Sequence, residues 1–233
     1  MRKALLLARR EIIEQYSDRG ALLRALFFVA LPIGLVLLNR GGGSRGLDAI
    51  ILLSALEAAL LPTATAINTA AGSFAAEKEA QTLVPLLAAP IRDIDIVAGK
   101  LMAVLLPAAA LSAVSLVAFD IAASMAFGQA RVSRLLDATT MYGLFALAVF
   151  FTMTVGAWVM VVSARVGSQR TAQQIAGFVL GGMIVALSTI GSLLQNLPAE
   201  LVIGVVVAVL ASDLGALELA RRFWDREEAV ARL

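Results

Sequence analysis

Long apolar runs alternate along this chain with short connections that carry most of its charge. A bilayer core about 30 Å thick is crossed by roughly 20 apolar residues in a helix. Runs of that kind lie near 25–38, 47–74, 101–126, 139–163, 172–194 and 201–220. Hydrocarbon offers backbone groups no partner, so only helices and closed barrels can span it. None of these runs has the strict alternation of a barrel strand. The pattern therefore predicts an all-α, polytopic membrane protein with six transmembrane helices. It forms a single transmembrane domain over 1–233, divided into an N-terminal helix within 1–24, six spans within 25–220 and a tail at 221–233.

The connections differ in character. Leu5, Leu6, Ala8, Ile12, Ile13 and Tyr16 recur at helical spacing among Arg9, Arg10, Glu11, Glu14 and Asp18. This predicts an amphipathic helix lying in the membrane interface, with a partly solvated helix as the alternative. Gly41, Gly42, Gly43 and Ser44 form a flexible turn, and the hairpin at 195–200 with Pro198 is equally brief. The stretch from Glu77 to Lys100 is longer, at 24 residues, and is punctuated by Pro85, Pro90 and Gly99. Proline suits a helix start and opposes a helix interior. Pro85 thus opens a short helix through Leu86 and Leu87 that Pro90 ends, and Asp93 is placed to cap the next helix. That next helix runs through Ile96, Val97 and Lys100 into the third span. The short helix either shields the end of the bundle or docks a cytosolic partner.

Charge orients these pieces. Sorting the basic residues by a six-span topology puts fifteen on the side of both termini and four (Arg40, Arg45, Arg131 and Arg134) on the other. Lysine and arginine accumulate on the cytoplasmic side, so both termini and the stretch from Glu77 to Lys100 are expected in the cytoplasm. The basic start is interrupted by Arg9, Arg10 and Glu11 with no small-residue cleavage site after the first span, so no cleaved signal peptide is expected. The net charge of +2 is scattered among turns, which argues against a nucleic-acid partner.

Composition removes most enzyme chemistry. The chain has no histidine and no cysteine, hence no Ser-His or Cys-His nucleophile, no imidazole or thiolate metal site and no disulfide. It also lacks the G-x-x-x-x-G-K-[ST] loop that cradles nucleotide phosphates. Any dependence on ATP must come from another chain.

A few polar groups fall inside the apolar runs. At about 1.5 Å per residue, Glu57 lies about 15 Å beyond Leu47 and so near mid-membrane, Asp120 near the outer boundary, and Asp213 about 20 Å inward from Glu200. An intramembrane acid is costly and faces the bundle interior or water. Each acid either lines a translocation path or is a neutral carboxyl bonded to a neighbouring helix. Asn68 is a further path candidate among Thr63, Thr65 and Thr69, groups that commonly satisfy helix contacts. Gly177 and Gly181, four apart, permit close helix approach, either across a dimer or within one subunit. Pro32, Pro62 and Pro107 can kink their helices.

Glu77-Lys78-Glu79, then Thr82-Leu83, Leu86-Leu87, Pro90-Ile91 and Gly99-Lys100, resembles the cytoplasmic signature of type-2 ABC transporter permeases of the sodium- and drug-exporter group. The tail from Phe223 to Glu228 resembles the Phe-x-Arg-Glu ending found there. The order of interfacial helix, six spans and short tail is also similar, so the resemblance covers essentially the whole chain. Val84 departs from it, since many relatives place a glutamate there, and so does the small hairpin before the sixth span.

The resemblance implies an export permease in the cytoplasmic membrane, a homodimer working with two separately encoded ABC ATPase subunits. ATP and Mg would be held by that ATPase, with no cofactor in this chain. Glu77, Lys78, Glu79, Thr82, Leu83, Leu86, Leu87, Pro90, Arg92, Gly99 and Lys100 would then belong to the ATPase-coupling segment. Gly177 and Gly181 would stand near the dimer interface, where the fifth span commonly lies in that family. The alternatives are a haem-exporter permease, an ion-coupled secondary transporter or channel using Glu57, Asp120 and Asp213, and a non-transporting membrane subunit.

Overall fold

The computed structural model of the chain describes residues 2–17, 19–39, 46–79, 93–178, 181–182 and 199–223. Every element with named bounds among them is an α-helix: α1 Arg2–Tyr16, α2 Arg19–Leu38, α3 Leu47–Leu60, α4 Thr63–Glu79, α5 Asp93–Phe127, α6 Gln129–Leu135, α7 Ala138–Arg165 and α8 Ala199–Phe223. Residues 169–178 are helical as well. Among the described residues, four stretches are long and apolar enough to cross a membrane: Arg19–Leu38, Leu47–Glu79, Ile94–Phe127 and Ala138–Arg165. They coincide with the first four expected spans. Residues 179–180 and 183–194 of the expected fifth span lie outside the described residues, and α8, which is not among these four, overlaps the residues expected for the sixth.

The second span is two helices rather than one kinked helix. Pro62 has no N–H to donate, so the ladder of α3 closes at Leu61, whose N–H reaches Glu57 O at 2.8 Å. Chain direction recovers over a tight turn in which Ala64 N–H bonds Leu61 O, and Thr65 bonds Pro62 O through both its N–H at 3.0 Å and its hydroxyl at 2.7 Å. Pro32 and Pro107, by contrast, sit inside continuous helices. Gly128 has φ 89°, a left-handed conformation that glycine adopts without strain, and there α5 gives way to the short α6. The connection between the third and fourth spans thus contains a helix that hydropathy alone does not signal.

The chain divides into two compact units. One comprises residues 12–66 and 105–152. Its core joins Val36 of α2, Ile51, Ala55, Ala58 and Ala59 of α3, Leu116, Phe119 and Ala123 of α5, Val132 of α6 and Ala148 of α7. Alanines dominate the α3 face because membrane helices gain little from hydrophobic exclusion and must pack closely instead. Hydroxyls add direction to this packing, as where Ser112 donates to Ala59 O at 2.8 Å. At one end, Arg131 of α6 pairs with Asp48 in the first turn of α3 at 2.8 Å, where an anion also complements the helix dipole.

The other unit comprises residues 1–11, 67–104 and 153–233. Phe74, Ile96, Val97, Val104, Val155, Val159 and Met160 are fully buried. Gly156 of α7 lets α5 approach closely: a Cβ there would stand 3.1 Å from Val104 Cγ1. Helix α8 joins α7 through Ala216 and Ala220 against Ala157 and Val161. This unit carries both helix ends that border residues 80–92, and with them the candidate site.

Candidate functional site

Helix α4 ends at Glu79 and α5 begins at Asp93, so the two helices frame residues 80–92. Two turns into α5, Lys100 is only 1% exposed. An ammonium withdrawn from water is costly unless it is paired and hydrogen-bonded. Here it is both. Its Nζ lies 2.8 Å from Glu77 Oε1 and 2.9 Å from Glu11 Oε1, donates to the Ser73 carbonyl at 2.5 Å, and stands 5.1 Å from the centroid of the Phe74 ring. The ring face supplies a further attraction for the cation. Lys100 therefore joins α5 to the last turns of α4 and, through Glu11, to the N-terminal helix.

The two residues after Glu77 reach other elements. Lys78 Nζ donates to the carbonyl of Ala164, in the last turn of α7. The last carbonyls of a helix lack intrahelical partners and carry partial negative charge, which a lysine satisfies. Glu79 Oε2 accepts the backbone N–H of Gln169 at 3.0 Å, at the start of the helical segment 169–178. That end has orphan N–H groups and partial positive charge, which a carboxylate satisfies. Ser168 assists by accepting the N–H of Thr171 at 3.3 Å. Three consecutive side chains thus each hold a different partner.

A turn earlier, the Ser163 hydroxyl of α7 donates to Ala71 O at 2.7 Å and accepts the N–H groups of Phe74 at 3.1 Å and Ala75 at 3.0 Å. A hydroxyl has one proton and two lone pairs, so Ser163 is fully used. Together with Lys100 on the Ser73 carbonyl, it engages the backbone of α4 over the turn that leads to Glu77.

Of the residues expected to couple to an ATPase, Glu77, Lys78, Glu79 and Lys100 are brought together, and Gly99 is buried beside Lys100. Thr82, Leu83, Leu86, Leu87, Pro90 and Arg92 lie outside the described residues. The path candidates are dispersed. Glu57 on α3 and Asn68 on α4 are exposed, and Asp120 on α5 is half-buried. Asp213 on α8 is fully buried, with Oδ2 accepting the Thr154 hydroxyl of α7 at 2.9 Å. Gly177 and Gly181 are exposed, with nothing within 4 Å of a built Cβ among the described residues. Sequence reasoning missed Glu11, Ser163 and Gln169 as members of the site. Glu11 left one signal, an acid interrupting an apolar helix face. Ser163 and Gln169 left none, because the partners of Ser163 are 88, 89 and 92 residues away and that of Gln169 is 90 residues away.

A family model described as ABC-2 family transporter protein matches residues 20–168. The chain belongs to that family. It is thus a membrane-embedded component of ABC transport, a permease of a kind that typically works with an ABC ATPase. No curated protein matches the chain significantly. The matched range of this ABC-2 permease takes in Glu77, Lys78, Glu79, Lys100 and Ser163, and stops one residue before Gln169.

Proposed function

We propose that the chain is the transmembrane subunit of an ATP-driven exporter in the cytoplasmic membrane. Two copies form a homodimer of six spans each and engage two separate ATPase subunits, which hold ATP and Mg. Both termini and residues 77–100 face the cytoplasm. Residues 80–92 dock in the ATPase, and closure of the ATPase dimer moves them. The bundle then alternates between inward-facing and outward-facing states. Glu57, Asn68, Asp120 and Asp213 are the polar groups available to a path through the membrane, and Gly177 and Gly181 stand at the dimer contact.

The observation that carries this reading is the framing of residues 80–92. The helix ends on both sides of the segment are joined by the Lys100–Glu77 pair, so a push on the segment meets a braced base rather than a floppy loop. The family match over 20–168 supplies the kind of machine in which such a push has a source. The chain has no phosphate-binding loop of its own, which agrees with energy arriving through a partner. The test is co-expression with candidate ABC ATPases and affinity purification of this chain. A co-purifying ATPase lost on Leu86→Asp with Leu87→Asp supports docking by residues 80–92. Retention of the ATPase by that double variant would sink it.

A further inference from the structure

Glu77, Lys78 and Glu79 are consecutive, and each is tied to a different place. Successive residues of a helix point about 100° apart, so three in a row sweep more than half of the circumference of α4. Glu77 meets Lys100 of α5 and, through it, Glu11 of α1. Lys78 meets the carbonyl end of α7 at Ala164. Glu79 meets the amide end of the 169–178 helix at Gln169. The signs match the ends: a cation on orphan carbonyls and an anion on orphan amides. Charges serving only as a solvated face or as the rim of a docking surface would point their heads outward. Each of these has an internal partner, Glu79 while remaining exposed, and Lys100 is withdrawn from water altogether.

We infer that Glu77, Lys78 and Glu79, with Lys100, are positioning residues that share any displacement of residues 80–92 among α1, α5, α7 and the 169–178 helix. The inference rests on the proposed docking of an ATPase at 80–92 and adds how the motion leaves that segment. Charge-assisted hydrogen bonds are short and directional, so each contact transmits a pull as well as a push. The lysine joins α1 and α5 to α4 at a single atom, so these helices cannot shift independently without separating a buried cation from a carboxylate. Glu79 is the most separable member, because it is exposed and acts at one helix end.

The experiment uses the complete complex of this chain with its ATPase in lipid nanodiscs. The chain has no native cysteine, so a single cysteine replacing exposed Gln173 reports on the 169–178 helix through its rate of maleimide labelling. Labelling is compared without nucleotide and after trapping with ATP and vanadate. The expected result is a nucleotide-dependent rate in the otherwise unchanged chain. Glu79→Lys is expected to cut that difference about fivefold, the scale of losing a favourable helix-end charge, while the ATPase still co-purifies and hydrolyses ATP. Glu79→Asp, which keeps the carboxylate, is expected to restore most of it, a rescue that a generally damaged fold would not give.

Failure of any ATPase to co-purify with the unchanged chain refutes the permease reading itself and is scored separately. With the ATPase bound, an undiminished response in both Glu79→Lys and Lys78→Met overturns the inference. Loss of the ATPase from Glu79→Lys also overturns it, because Glu79 would then be a docking contact. Absence of any nucleotide response in the unchanged chain overturns it too, since residues 80–92 would not drive the 169–178 helix.

Discussion

Thr63 donates its hydroxyl to the hydroxyl of Thr152 across 2.9 Å, and the direction is fixed because Thr152 gives its only proton to Ala148 O at 2.8 Å. Both groups are buried. The two threonines are therefore unequal. Thr152→Val removes the acceptor and strands the Thr63 hydroxyl, whereas Thr63→Val leaves Thr152 with its carbonyl. Stranding a buried polar group costs about 1–3 kcal/mol, against about 1 kcal/mol for losing a hydrogen bond whose partner remains satisfied. Thermal unfolding in detergent should rank Thr152→Val as the more damaging of the pair. Equal losses, or the reverse order, would refute the assigned direction.

Lys100 offers a sharper contrast. Removing one partner of a buried ion cluster costs about 3–5 kcal/mol, while replacing the whole cluster by neutral groups is often harmless. Glu77 and Glu11 are 26% and 16% exposed, so water relieves part of their repulsion and Lys100→Met should fall at the lower end, about 3 kcal/mol. Lys100→Met combined with Glu77→Gln and Glu11→Gln should regain most of that loss. The readout is the folded fraction surviving a heat step before size-exclusion chromatography. A triple variant no better than the single one would show that Lys100 acts through packing rather than charge.

Asp137 provides a pH test outside the spans. Its Oδ1 accepts the N–H of Thr140 at 2.9 Å, capping the start of α7. Hydrogen bonding to the Thr140 side chain, and then to its backbone, holds the carboxyl below the ordinary aspartate value. A depressed folded-state pKa contributes stability that is complete above the unfolded value and is lost as pH falls through the folded value. The chain should therefore melt above Asp137→Asn at neutral pH, and the gap should narrow once the pH falls below the ordinary aspartate range. A gap that persists in acid would place the effect in hydrogen-bond geometry rather than in charge.

The four long apolar stretches, α1 and the start of α5 at Asp93 are legible because length of apolar run and helical spacing are local properties. The site is legible only in outline. Glu77, Lys78, Glu79 and Lys100 stand out as charges beside a proline-punctuated stretch, yet Lys100 looks like any basic residue at a cytoplasmic membrane face. What buries it is a pair of acids 23 and 89 residues away, and no periodicity encodes that meeting. Asp213 is similar, since the Thr154 hydroxyl that receives it lies 59 residues off. The break at Leu61–Pro62 was foreshadowed by proline, but whether a proline bends or ends a helix depends on whether nearby groups satisfy the freed carbonyls. There Ala64 and Thr65 bond the carbonyls of Leu61 and Pro62 and so start a new turn.

The glycines separate contacts inside the chain from contacts outside it. At Gly156, a new Cβ would meet Val104 Cγ1 at 3.1 Å and Leu101 Cδ1 at 3.8 Å, so a larger side chain must push α5 and α7 apart. Overpacking of this kind costs about 1–3 kcal/mol. Gly156→Leu should therefore lower the melting temperature of the chain without changing the proportion of dimer at a fixed detergent concentration. Gly181 has open space around it among the described residues, so leucine there has little to strain within the described part of one copy. If the small surface at Gly177 and Gly181 lets a second copy approach, as small residues four apart allow, Gly181→Leu should do the opposite: leave unfolding of the monomer unchanged and shift the population from dimer to monomer. Multi-angle light scattering on the two variants, side by side, reads both quantities. An unaltered dimer fraction for Gly181→Leu would assign that face to packing within one copy or to lipid.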